Sequence, residues 1–160
     1  MEVLYTNEYG DAARIDLPTT WNFTKNFTLA ELANSKAKEK TKFISTPRSR
    51  KFLTMIQEFR NWYGRPINVT SNYRTISFNV SCGGSKDSLH LDALALDWKA
   101  NHTNGQRANV RNKWAEICRA HGEIGGINYY TNGYHMSIGE EKFGNRSFVT
   151  RDYRGKKGDW

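Results

Sequence analysis

At 160 residues the chain is the size of one ordinary domain and buries roughly two thirds of the surface its unfolded form exposes, so no disulfide or metal is needed merely to hold it together. With only two cysteines, Cys82 and Cys118, a disulfide framework is not indicated and reduced thiols are expected. No apolar run is long enough to span a membrane and no signal peptide opens the chain, so synthesis as a soluble cytoplasmic protein is expected. The 24 Lys+Arg against 16 Asp+Glu give a net charge of +8, which points to a polyanionic partner, either nucleic acid or an acidic polymer such as a cell wall.

Residues 1–26 are weakly patterned, with strand-like pieces at Val3-Leu4-Tyr5 and Ala13-Arg14-Ile15; they read as an N-terminal extension wrapping the core of a single domain spanning 1–160. Thr28-Leu29-Ala30-Glu31 has capping-box spacing and predicts a short helix to about Lys40. Thr46-Pro47 opens the next helix, where Phe52, Ile56, Phe59 and Tyr63 recur at helical spacing and Gly64 closes it. Pro66 to Thr70 reads as a strand delivering Ser71-Asn72-Tyr73-Arg74 to a loop, and Asn79 to Gly84 as a brief helix. From Ala93 to Trp98 the period is two: Leu94, Leu96 and Trp98 form a core face, and Ala93, Ala95 and Asp97 the other. A helix from Asn104 to His121 buries Val110, Trp114, Ile117 and Cys118, and Gly122 stops it. Phe148 to Thr150 is a further strand, and Arg151 to Lys157 a basic tail.

Between them lies Gly125 to Gly139, with Asn132-Gly133 at its middle. Asn-Gly between alternating segments is a strong hairpin signal. With those two residues as the turn, Tyr130 opposes His135 and Tyr129 opposes Met136. Ile127, Tyr129, Tyr134, Met136 and Ile138 then form a core face, and Asn128, Tyr130, His135 and Ser137 a polar one. Three groups now share a property: His90, Asp97 and His135 each lie on the small or polar side of a strand or loop. Two imidazoles and a carboxylate that leave a coordination position open suit a catalytic zinc ion. His102, in a polar loop, and His121, at a helix end, fit the surface better.

The ordered pieces Ser71-Asn72-Tyr73-Arg74, Asn79, Gly83-Gly84, Ser88-Leu89-His90, Ala93, Ala95, Asp97 and Tyr134-His135-Met136-Ser137 resemble the zinc D-Ala-D-Ala carboxypeptidase family, which includes bacterial peptidoglycan peptidases and many phage endolysins. The likeness runs from about Phe27 to Gly139. It implies an α+β fold, a small antiparallel sheet carrying the metal and packed against about three helices, in the hedgehog and DD-peptidase manner. It further implies Zn2+ held by His90, Asp97 and His135, with Arg74 binding substrate or stabilising the developing oxyanion. Ser88, Tyr73, Tyr130, Asn132 and Ser137 are expected beside the metal or against the substrate. Two positions depart from the family pattern. Ala93 stands where the family has glycine, a change expected only to narrow the approach to the metal. The acid that many relatives carry three residues before the last histidine is Asn132, and the one others carry two residues after it is Ser137. The general base is therefore unassigned, with Glu123 and Asp92 as substitutes that no motif places.

The expected function is a monomeric zinc peptidase of peptidoglycan stem peptides or cross-links, acting as a phage endolysin on the wall after release from the cytoplasm. The alternative is a non-catalytic, zinc-stabilised wall-binding or phage structural module. Nucleic acid is the weaker partner, resting only on charge and on aromatics such as Trp62, Tyr129 and Tyr130 that fit a core better.

Overall fold

The computed structural model describes residues 1–33 and 42–158. The two strand-like N-terminal pieces form β1 (Glu2–Thr6) and β2 (Ala12–Asp16), an antiparallel pair whose turn is closed by the Asn7 side chain accepting from the N–H groups of Tyr9 and Asp11. Short strands β3 (Asn22–Thr24) and β4 (Phe27–Thr28) follow. The capping box then opens α1 (Leu29–Leu32), with Thr28 Oγ1 accepting from the Glu31 N–H; the rest of the helix expected to Lys40 lies outside the described residues. β5 (Lys42–Ser45) runs parallel to β1 and gives a three-stranded sheet of order β2-β1-β5. That sheet is fixed to α2 (Pro47–Tyr63) through Arg50, which donates to the carbonyls of Ser45 and Thr6.

Thr46 caps α2 and Gly64 ends it in the left-handed conformation, φ 74°. β6 (Asn68–Ser71) delivers the Ser-Asn-Tyr-Arg stretch as expected. The brief helix is earlier than predicted, α3 (Ile76–Ser81), because Thr75 Oγ1 accepts from the Phe78 N–H and sets the cap there. The glycines at 83 and 84 follow a helix that has already ended.

The main sheet contains β7 (Ala95–Lys99), β8 (Gly125–Tyr130), β9 (Gly133–Ile138) and β10 (Val149–Tyr153), with α4 (Asn104–Ala120) joining β7 to β8. Its order is β10-β8-β9-β7-β6. The fold is α+β as expected, but the sheet is mixed: four strands are antiparallel neighbours and β10 pairs with β8 in parallel. The first part of the expected basic tail is therefore strand, held by the ladder Arg151↔Asn128 and Tyr153↔Tyr130.

Helices α2 and α4 cover one face of this sheet. Phe52 and Phe59 of α2 meet Trp114 of α4 edge-on, and Phe59 also meets Trp98 of β7. Trp98, Trp114 and Tyr134 are fully buried. Side chains of that size remove 150–250 Å² from water, about 4–6 kcal/mol of transfer free energy each before entropy is subtracted. The Trp114 indole N–H donates to the carbonyls of Gly126 and Ser137, at 3.1 and 3.3 Å, which ties α4 to β8 and β9. His102 is half-buried at the edge of this interior, and its ring nitrogens contact the hydroxyls of Tyr63 and Tyr134.

The hairpin register differs from the one the Asn-Gly pair predicts. The turn is Thr131-Asn132, and Tyr129 opposes Tyr134 while Asn128 opposes His135. Among the described residues only Ala93 has positive φ without being glycine, so Asn132 does not adopt the mirror-image turn that Asn-Gly favours. The slip moves each partner by two residues, an even number, so both faces survive it.

Candidate metal centre

The polar face of the sheet carries the site. Asp97 on β7 and His135 on β9 are direct cross-strand partners, and Asp97 Oδ1 lies 2.8 Å from His135 Nδ1. His90 comes from a single 3-10 turn, Leu89–Asp92, capped by Ser88, whose hydroxyl accepts from the His90 N–H. Its Nε2 lies 3.1 Å from Asp97 Oδ2. One ligand-capable atom from each of the three residues falls within 4.8 Å of the others. His90 and Asp97 are buried and His135 is partly open.

The chain's own hydrogen bonds prepare this set for a cation. His90 Nδ1 sits 2.6 Å from the carbonyl of Asn72. A carbonyl only accepts, so Nδ1 carries the proton and the Nε2 lone pair faces the cluster. That Nε2 is buried without a hydrogen-bond partner, which fits a metal-ligand atom better than it fits a finished core. Burial lowers the His90 pKa against the pull of Asp97. Burial works against ionising Asp97, but the adjoining imidazoles more than offset it and hold its pKa well below the usual carboxylate range. The result is a buried anion between two imidazoles, a donor set suited to Zn2+.

Arg74 reaches the same carboxylate. Its Nη2 donates to Asp97 Oδ2 at 3.0 Å and its Nε to Ser71 Oγ at 3.0 Å, while its backbone N–H donates to the His90 carbonyl. The guanidinium is thus built into the site and does not pair with Asp87 or Asp92. Asn72, which carried no expected role, organises the loop: fully buried, it donates from Nδ2 to the Ala95 carbonyl at 2.8 Å and holds His90 through its own carbonyl.

Ala93 is not on the strand. It sits between the 3-10 turn and β7 with φ 55° and ψ 32°, where the backbone must reverse so that Asp97 can follow His90 into the site. The substitution for glycine therefore acts on backbone strain, and not only on the approach to the metal, because a Cβ in the left-handed region costs about 1–2 kcal/mol.

A cleft of about 380 Å³ opens over the cluster, lined among others by Arg74, Ser88, His90, Asp97, Tyr130 and His135. Three other expected site residues lie elsewhere. Tyr73 packs edge-on against Phe43. Asn132 lines a separate shallow depression with Lys99, Ala100, Asn101 and Thr131. Ser137 is fully buried, its hydroxyl donating to Glu140. Glu123 and Asp92 do not line the cleft; Glu123 pairs with Arg48 and Lys51, and Asp92 with Lys142. The cleft's second carboxylate is Glu140, which follows β9 after the left-handed Gly139. Arg151 clamps both its oxygens, at 3.1 and 3.0 Å, and Asn145 and Ser137 also donate to it. Burial raises the Glu140 pKa, but Arg151 more than offsets this and leaves it lowered. No motif announced Glu140, and its partner Arg151 read only as part of a basic tail.

An α+β domain with a buried His-Asp-His cluster under an arginine-bearing cleft has the architecture of a metal-dependent hydrolase. The family model of Peptidase M15 matches residues 25–137, from just before β4 almost to the end of β9, and the chain belongs to that family. The family is one of zinc-dependent metallopeptidases, and the His90-Asp97-His135 cluster could hold such an ion. No curated protein matches the chain. Among the described residues no helix is long and apolar enough to cross a membrane.

Proposed function

We propose that this chain is a zinc peptidase that hydrolyses peptide bonds of bacterial peptidoglycan, in stem peptides or cross-links, and serves as a phage endolysin. Its ligands are His90 through Nε2, Asp97 and His135. The observation that carries this reading is the buried, unpartnered His90 Nε2 aimed at Asp97. Zinc bound there supplies a Lewis acid that polarises a carbonyl and acidifies water. The chain contributes the rest. Asp97 lowers the charge of the site, Asn72 fixes the His90 tautomer, and Arg74 presents a guanidinium where negative charge develops on the attacked carbonyl. Tyr130 lines the approach. The net charge of +8 favours residence on an anionic wall, reached from the cytoplasm once the membrane is permeabilised.

A second reading, a zinc-stabilised wall-binding or phage structural module without activity, has one observation in its favour. Among the described residues the two carboxylates that line the cleft, Asp97 and Glu140, are already engaged. One experiment separates the two. Purified cell walls incubated with zinc-loaded protein release free amine groups, the release stops with chelator, and it returns when zinc is restored. Walls that stay intact while the protein holds stoichiometric zinc overturn the peptidase and leave the module.

A further inference from the structure

The stretch matching the family ends at 137, yet the cleft does not. Arg151, Tyr153, Lys157 and Gly158 line it together with the metal cluster. One wall of the cleft is therefore built by a segment that follows the matched region.

That wall is fixed in place by bonds to the hairpin turn. The parallel ladder sets Tyr153 beside Tyr130, and their rings stack with centroids 5.5 Å apart and planes at 27°. Beyond the strand, the Thr131 N–H donates to the Lys156 carbonyl at 3.0 Å, and the Gly155 N–H to Thr131 Oγ1 at 3.0 Å. The Gly158 N–H donates to Asn132 Oδ1 at 2.8 Å. Lys157 thus lies between two anchored neighbours at the rim of the cleft. Asn132, where relatives place an acid, is here a tether for this tail.

The charges in the cleft are unevenly matched. Arg74 is paired with Asp97 and Arg151 with Glu140. Lys157 is exposed and has no carboxylate within ion-pair distance among the described residues. A divalent ion held by His90, Asp97 and His135 would add further positive charge to the cleft. Such a cleft favours a ligand that brings its own anion.

We infer that the tethered tail is a substrate-reading wall, in which Lys157, beside the Tyr130–Tyr153 stack and backed by Arg151, binds a carboxylate of the peptide lying in the cleft. This rests on the peptidase reading for the peptide's place over the metal. The carboxylate can be the peptide's own C-terminus or an acidic side chain.

The test uses zinc-loaded full-length chain and a synthetic pentapeptide with one internal glutamate and a free C-terminus. Two analogues complete the set, one with the C-terminus amidated and one with glutamine for glutamate. Binding by calorimetry and KM where turnover occurs are both read. In the wild type one analogue binds about tenfold more weakly than the parent, the effect of losing a charge-assisted hydrogen bond, and which analogue does so identifies the source of the carboxylate. Lys157→Ala removes that gap, Lys157→Arg keeps it, and Asn132→Ala, which frees the tail, narrows it. An equal gap in wild type and Lys157→Ala overturns the inference, as does a wild type that shows no gap with either analogue or binds none of the three peptides. Cleavage without a gap sinks the carboxylate subsite alone. A Lys157-dependent gap without cleavage sinks the peptidase reading and leaves the subsite standing.

Discussion

Replacing Glu140 with glutamine tests whether the clamp behind His135 is held by charge. The glutamate side chain is 2% exposed and accepts from both Arg151 Nη atoms, from Ser137 and from Asn145. Breaking a fully buried ion pair from one side costs about 3–5 kcal/mol. Arg151 remains 31% exposed, so its guanidinium recovers some water and the expected cost falls to about 2 kcal/mol. For a chain of this size that lowers the melting temperature by about 4–8 °C. The pH dependence follows from the lowered Glu140 pKa. A carboxylate whose folded pKa lies below its unfolded value stabilises the fold above the unfolded value, and that contribution fades as pH falls through the folded one. Calorimetric melts of both proteins in chelator, at pH 7 and at stepwise lower pH, should therefore show a gap that is widest at pH 7 and closes below the ordinary glutamate value of about 4.5. Adding Arg151→Met to Glu140→Gln should recover part of the loss, since no charge is then left without its partner. A glutamine variant as stable as wild type at pH 7, or a penalty that does not change with pH, refutes the reasoning.

Zinc at about a hundredfold excess over its dissociation constant should stabilise the wild type by about 2.7 kcal/mol, a rise of roughly 5–11 °C in melting temperature, and His90→Ala should abolish that rise; a zinc-induced shift that survives the substitution would place the ion elsewhere. Ala93→Gly should raise stability by about 0.5–1 kcal/mol, because relief of the left-handed strain exceeds the entropy glycine costs in the unfolded chain. Urea unfolding measures it, and a destabilised glycine variant would show that the φ of 55° carries no strain.

Much of the site is legible in the sequence because it lies on periodic elements. Asp97 and His135 fall on polar faces of strands whose other faces are Leu94, Leu96 and Trp98 or Tyr134, Met136 and Ile138, and alternation alone gives their direction. Their pairing across β7 and β9 is set by the sheet order, which local pattern does not carry. The hairpin shows both the reach and the limit of turn chemistry: Asn-Gly marked the right place but the wrong two residues, and the faces came through because side chains alternate with period two. Ala93 misled for a related reason. Its Ala-x-Ala-x-Asp context continues the strand pattern two residues too far back, while the tertiary need to bring His90 beneath Asp97 bends the backbone there. Glu140 and Arg151 escaped notice because each follows a glycine-marked or apparently unstructured stretch. What joins them is the parallel β10–β8 pairing, a long-range contact with no local signature.

That pairing bears on the unassigned general base. In the pattern shared with relatives an acid near the last histidine accepts a proton, and Asn132 stands in one such place. In this fold residue 132 lies at the hairpin tip beside Lys99 and Asn101, outside the cleft, with its side chain engaged by Gly158. A carboxylate there would keep the tether but would not line the site. Glu140 does line it, but the arginine that lowers its pKa also occupies both oxygens, which makes it a poor acceptor at neutral pH. For Glu140 to accept a proton it must be released from Arg151, and the stability cost of that release is the quantity the Glu140→Gln melts measure.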